Sequence, residues 1–230
     1  MIFDPMYFVF LAPALLLSFW ASFRTKSAFK KYSRVPTATG MSGAEAASRL
    51  LSSAGLHDVR ILRSQGMLTD HYNPMNRTLN LSEGVFDSRS VAAVGIAAHE
   101  AGHAIQHATG YKPLGLRSVL VPTANIGSSL GYIVMLVGLF MSSANMVLVG
   151  AVLFSAVLLF QIVTLPVEFD ASRRAKAMLS EHGIIAGAER GGVDRVLNAA
   201  ALTYVAAAVS TLMTLLYFLM RAGFLGGRDD

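Results

Sequence analysis

The chain has no cysteine, and charged side chains make up only 14% of its 230 residues. Without cysteine a disulfide-stapled secreted domain is excluded, and any metal site must be built from His, Glu or Asp. Scarce charge, together with 53% hydrophobic residues and a mean hydropathy of +0.51, excludes a disordered chain and an ordinary soluble surface. No basic, aromatic-interleaved motif accompanies the formal charge of +5, so no nucleic acid is expected as a partner. Internal repeats and low-complexity tracts are also missing.

The charges are unevenly spread. Residues 5–23, 118–167 and 196–220 hold none of the 33 charged side chains, and the remaining 136 residues carry them at the density of a soluble protein, about 24%. A helix crosses roughly 30 Å of hydrocarbon with roughly 20 residues, so the first and third stretches make one span each. The 50-residue stretch must fold back, and its most polar point is Ser142-Ser143-Ala144-Asn145. Four transmembrane helices are expected, at about 5–23, 119–141, 146–165 and 199–220. The expected organisation is an N-terminal anchor (1–23), a water-facing domain (24–117), a transmembrane hairpin (118–165), a second water-facing segment (166–197), a fourth span (198–222) and a short tail (223–230).

The first span lacks a preceding basic region and is followed by one, which reads as an uncleaved anchor rather than a signal peptide. Of 19 Lys and Arg, 17 fall between spans one and two or between three and four. The positive-inside rule makes that side cytoplasmic, with both termini outside. Arg24, Lys26, Lys30, Lys31 and Arg34 are placed to meet anionic lipid headgroups, although topology alone accounts for them.

Segment 24–117 has a mixed pattern. Ser42 with Glu45 reads as a capping box opening a helix that stops at Gly55. Val59 to Leu62 is a weak strand candidate, Asn73-Pro74 with Asn76 a turn, and Arg77 to Leu81 alternates as a half-buried strand would. Asp87 or Ser88 is expected to cap a helix running to about Thr109, ended by Gly110 with Pro113 beyond. A further helix is expected from Val167, after a break at Pro166, to His182, closed by Gly183.

The helix near Ser90 contains Ala98-His99-Glu100-Ala101-Gly102-His103, an H-E-x-x-H pattern. His99 and His103 are one turn apart and offset by about 40°, so both imidazoles can reach one ion. Glu100 projects beside that ion, where a general base takes a proton from metal-activated water. A random shuffle of 6 His and 6 Glu in this length contains the pattern less than about 1% of the time. The bland alternative, two satisfied histidines and an exposed glutamate, fits poorly with the small and apolar residues on both sides, where unpartnered polar groups are costly.

A catalytic zinc site takes three protein ligands. His107 lies about 12 Å along the axis from His99 and cannot share its ion; it is expected beside the ligands or capping the helix. The long metzincin pattern fails at Gln106 and Thr109. Glu168, where the third span leaves the bilayer, is the expected third ligand, against an interface anchor or an ion pair with Arg174. Asp170 either holds a ligand imidazole through its second nitrogen or pairs with Arg174. His71 or Tyr72 is a candidate donor to the oxyanion, against a solvent-facing turn. Asn125 and Gln161, inside spans, are expected to make interhelical hydrogen bonds.

Leu68-Thr69-Asp70-His71-Tyr72, Leu81 to Val85, Ala98 to His107, Leu165 to Ala175 and Ala200 to Ala206 together resemble the YugP-like "putative neutral zinc metallopeptidases", small bacterial membrane proteins. The resemblance spans about Pro36 to Phe218 and implies a gluzincin-type zinc peptidase of the bacterial cell (inner) membrane, with one Zn2+ per chain, His99 and His103 as ligands and Glu100 as base. A more distant similarity, to the HtpX and CAAX prenyl protease group, matches Glu168 to the ligand glutamate of that group. The downstream Asp of that group has no match, since Ala171-Ser172 stands there.

The expected protein is therefore a mainly α membrane protein, four transmembrane helices with a small cytoplasmic α+β H-E-x-x-H zinc-peptidase domain. Its expected partners are membrane lipids and a peptide or membrane-protein substrate. The alternative from another class is a non-hydrolytic membrane adaptor with a structural metal site, for which a glutamate between the two histidines has no use. A transporter is disfavoured by the lack of ionisable residues deep in the spans.

Overall fold

A computed structural model describes residues 5–225. In chain order the elements are α1 (Pro5–Tyr32), α2 (Gly43–Ser53), β1 (Arg60–Ser64), β2 (His71–Asn73), β3 (Thr78–Ser82), α3 (Glu83–Phe86), α4 (Val91–Ala108), α5 (Lys112–Ile126), a π-helical turn (Gly127–Gly131), α6 (Tyr132–Phe140), α7 (Ala144–Glu181) and α8 (Gly187–Arg221). Four helical stretches among them are long and apolar enough to cross a membrane: Met6–Tyr32, Lys112–Phe140, Ala144–Glu181 and Gly187–Arg221. The chain divides into two units. The first holds the described residues up to Ala21, Leu116–Leu165 and those from Thr203; the second holds Ser22–Gly115 and Pro166–Leu202.

The first unit is all helix. Its inner cluster is Met135, Val147, Ala151, Phe154, Leu215, Tyr217 and Phe218. The α6–α7 hairpin turns at Met141–Ser143, with Ser142 at φ 54°. The two arms approach backbone to backbone: a Cβ on Gly131 would lie 2.6 Å from the Phe154 nitrogen, and one on Gly150 2.5 Å from that of Met135, so only glycine fits. Many large apolar side chains point outward, among them Phe8, Phe19, Val119 and Phe140, the last 90% exposed. Such a surface suits lipid and not water. Asn125 and Gln161 make no interhelical hydrogen bond among the described residues: Gln161 Oε1 is buried with no partner and Asn125 is exposed.

The second unit packs α2, α3, α4 and a three-stranded sheet with the adjoining parts of the long helices. Its core includes Leu50, Leu79, Leu81, Val85, Val94, Leu179, Ile184 and Val193. The α2 capping box is complete, Ser42 accepting from Glu45 N–H and Glu45 accepting from Ser42 N–H, and Gly55 follows at φ 73°. Sheet order is β1-β3-β2, with β1 parallel to β3 in the register Arg60 to Thr78, and β2 antiparallel in the register Tyr72 to Leu79. Since β3 is central, it is buried on both faces rather than half-buried. Its polar face is nevertheless satisfied: Ser82 donates twice to Asp70, and Thr78 donates to Asn76 Oδ1.

Two expected boundaries move. Neither Asp87 nor Ser88 caps α4; Asp87 is occupied by Arg63, Glu83–Phe86 forms its own short helix, and Ser90 Oγ accepts the Ala93 N–H at 3.2 Å. At its other end α4 stops as expected, with Thr109 as cap and Gly110 at φ 62°. Pro166 does not break its helix: α7 runs unbroken from Ala144 to Glu181, ending before Gly183 at φ 61°. A proline removes one N–H and frees one carbonyl, which a long helix with apolar packing tolerates.

Candidate metal centre

Helix α4 is buried almost all round, and His103 and Glu100 are each only 8% exposed. Polar groups on such a helix must be partnered, and the partners define the site. Gly102 decides which element covers them. A Cβ there would sit 2.8 Å from the Ala171 carbonyl oxygen, so α4 and α7 cross with no side chain between them. The crossing lays Glu168, one turn before Ala171, over the two histidines. His99 Nε2 lies 3.2 Å and His103 Nε2 3.6 Å from Glu168 Oε2, and the three ligand atoms fall within 4.8 Å of one another.

These residues fit a zinc ion by the chemistry of the donor set. A tetrahedron with bonds of about 2.0–2.1 Å has edges of about 3.3 Å, close to both distances above. The rings stand nearly perpendicular, at 84°, so they do not stack against each other. Each outer ring nitrogen is also engaged. His103 Nδ1 meets Gln106 Oε1 at 3.0 Å, and Gln106 Nε2 donates to the Val167 carbonyl at 2.8 Å and to Asp170 Oδ2 at 2.9 Å. With its NH2 facing two acceptors, the amide must turn its oxygen to His103, which places the ring proton on Nδ1 and leaves the Nε2 lone pair for a cation. His99 Nδ1 meets Ser172 Oγ at 3.1 Å. Burial works against a charged His103, yet the hydrogen bond that the charged ring donates to Glu168 and the charges of Glu100 and Glu168 prevail and raise its pKa. The site thus stabilises positive charge.

Glu100 stands beside the cluster. Its Oε2 accepts the Tyr72 backbone N–H at 2.9 Å, from edge strand β2, and its Oε1 has no protein partner among the described residues. The other expected residues are placed as follows. Asp170 touches neither imidazole; it holds Gln106 and pairs with Arg173 and, at 2.6 Å, with Arg174, so it acts on His103 only through the glutamine. His107 lies outside the ligand cluster, with its Nδ1 2.9 Å from the Tyr72 hydroxyl. His71 is exposed and outside the cluster, with its nitrogens engaged by Thr69 O at 2.8 Å and Asn80 at 3.2 Å. Gln106 and Ser172 were not singled out for this role by the sequence. The available signal was Gln106 at i+3 from His103, a buried amide in an otherwise small-residue helix.

A sequence model of the family described as "Putative neutral zinc metallopeptidase" matches residues 7–223. A protein of Bacillus subtilis (strain 168) described as "Putative membrane protease YugP" is 48% identical over 226 residues, covering 98% of this chain and 100% of that protein. No solved structure matches.

Proposed function

The chain belongs to the family of "putative neutral zinc metallopeptidases", and from that premise we propose a membrane-embedded, zinc-dependent endopeptidase that cuts membrane-protein substrates at the cytoplasmic membrane surface. The observation that carries the reading is the convergence of His99 Nε2, His103 Nε2 and Glu168 Oε2 with a glutamate alongside them held by only one of its oxygens.

His99, His103 and Glu168 would hold the zinc. When bound, zinc supplies Lewis acidity, making an attacking water more acidic and the scissile carbonyl more electrophilic. The chain's own residues handle protons and position. Gln106 and Ser172 fix the imidazoles with Nε2 inward. Tyr72 N–H holds Glu100 Oε2, so that Oε1 takes the proton from the attacking water and later delivers it to the leaving amine nitrogen. This proton shuttle favours hydrolysis over a structural metal, which needs no base beside its ligands.

The preference for membrane substrates follows from Glu168 being the first charged residue after 50 without charge. A substrate tethered to the same bilayer is held near such a site, which raises its effective concentration. The test compares one cleavable sequence on a membrane-anchored and on a soluble carrier, with purified protein in lipid nanodiscs. Faster, chelator-sensitive cleavage of the anchored carrier is expected; equal rates contradict the positional part of the proposal.

A further inference from the structure

A cavity of about 350 Å³ opens within the second unit between α7 and α8, lined by Phe169, Ser172, Arg173, Lys176, Arg190 and Asn198 together with two alanines. We propose that it holds the phosphodiester headgroup of an anionic phospholipid of the phosphatidylglycerol class. This site is separate from the peptide-bond chemistry and does not rest on it.

The lining is cationic and short of acceptors. Three of its side chains are positive and none is a carboxylate. Arg190 makes no ion pair or hydrogen bond among the described residues, so nothing in the unit neutralises it. Lys176 donates to Asn198 Oδ1 at 2.7 Å and pairs with Asp194 at 3.2 Å, which leaves the third ammonium proton available. Arg173 gives one end of its guanidinium to Asp170 but is 74% exposed, so its remaining N–H groups are open. A cleft with two or three unspent cationic donor sets and the Ser172 hydroxyl has the chemistry that binds a phosphate.

Two observations favour a lipid as the source of that phosphate. Phe169, half-exposed, and Ala201, buried, form an apolar side of the cavity, which a free phosphate does not need and a glyceride does. The cavity residues also lie where both helices change character: those on α7 follow directly on Glu168, which ends its uncharged run, and those on α8 fall on either side of Arg195, the last charge before its uncharged run. That is the headgroup level of a helix in a bilayer, where basic pockets between helices take up anionic lipids. The volume lies in the range of small-ligand pockets. Ser172 also touches His99, so the cavity shares one wall with the metal-binding group.

The test is native mass spectrometry of the full chain released from detergent, titrated with phosphatidylglycerol, phosphatidylcholine or inorganic phosphate. Phosphatidylglycerol is expected to be retained about tenfold more tightly than phosphatidylcholine, and Arg190→Glu to abolish most of that difference. Arg190→Lys should keep it, and Arg60→Glu, an exposed charge reversal outside the cavity, should leave it unchanged. An equal loss in Arg60→Glu would mean diffuse surface attraction and overturn the site. Inorganic phosphate bound as tightly as the lipid, with the same Arg190 dependence, would overturn the lipid assignment. A thermal melt of each variant is run alongside; Arg190 is exposed and unpaired, so the Tm is expected to hold, and binding lost only in proportion to a fallen Tm would also count against the site.

Discussion

Gln106 shows how much of a metal site lies outside its ligands. It links Asp170 to His103, and its NH2, engaged by two acceptors, fixes the direction in which the imidazole points. Gln106→Leu keeps the volume and removes the link, so zinc affinity should fall by about 10- to 100-fold in a chelator competition assay. Glu168→Ala removes a ligand outright, and the purified protein should then carry no zinc by elemental analysis. Full occupancy would place the third ligand elsewhere. The two residues differ in how legible they were. His99, Glu100 and His103 can be read from spacing on one helix, and Glu168 from its place at the end of an uncharged run. Gln106 and Ser172 have partners 61 to 73 residues distant in the chain, and local pattern says nothing of which helix folds back on which.

Among the elements, the α4–α7 crossing controls the site. Gly102→Ala puts a methyl group where a carbonyl oxygen already stands at 2.8 Å, and the backbone of α7 must move. Such overpacking costs about 1–3 kcal/mol, and because the displaced helix carries Glu168, zinc affinity should fall together with the Tm. Ser90→Ala is the contrasting case. It removes the α4 cap nine residues from His99, so about 1 kcal/mol of stability should go while zinc affinity is unchanged. A thermal melt with and without chelator separates the two. Capping chemistry made α2 readable to the residue, and Gly110 and Gly183 marked two helix ends. The start of α4 and the continuity of α7 were harder to read. Serines at 88 and 90 are equivalent as sequence and are told apart only by their hydrogen bonds, Ser88 donating to Ser90 and Ser90 accepting from Ala93 N–H, and a proline in a long apolar helix is ambiguous until its neighbours are placed.

For the whole molecule, the distribution of Lys and Arg carries a prediction of orientation, with the segments holding 17 of 19 on the cytoplasmic side. A chain without cysteine is well suited to the check, since each introduced thiol is the sole target. In intact cells a membrane-impermeant maleimide should label Asn145→Cys, in the hairpin between the second and third spans, and leave Ala188→Cys unlabelled until the cells are opened. The reverse pattern would put the metal centre outside. The four spans were legible because missing charge is a property of composition; of the small sheet, β1 and β3 could be read from their local pattern, whereas β2, only three residues long, could not. The central claim, that Glu100 moves the proton while its neighbours hold the metal, is tested most directly by measuring zinc content and peptide cleavage together in Glu100→Gln. The account predicts wild-type zinc with cleavage lowered by at least about a thousandfold; cleavage at the wild-type rate with zinc bound would contradict it.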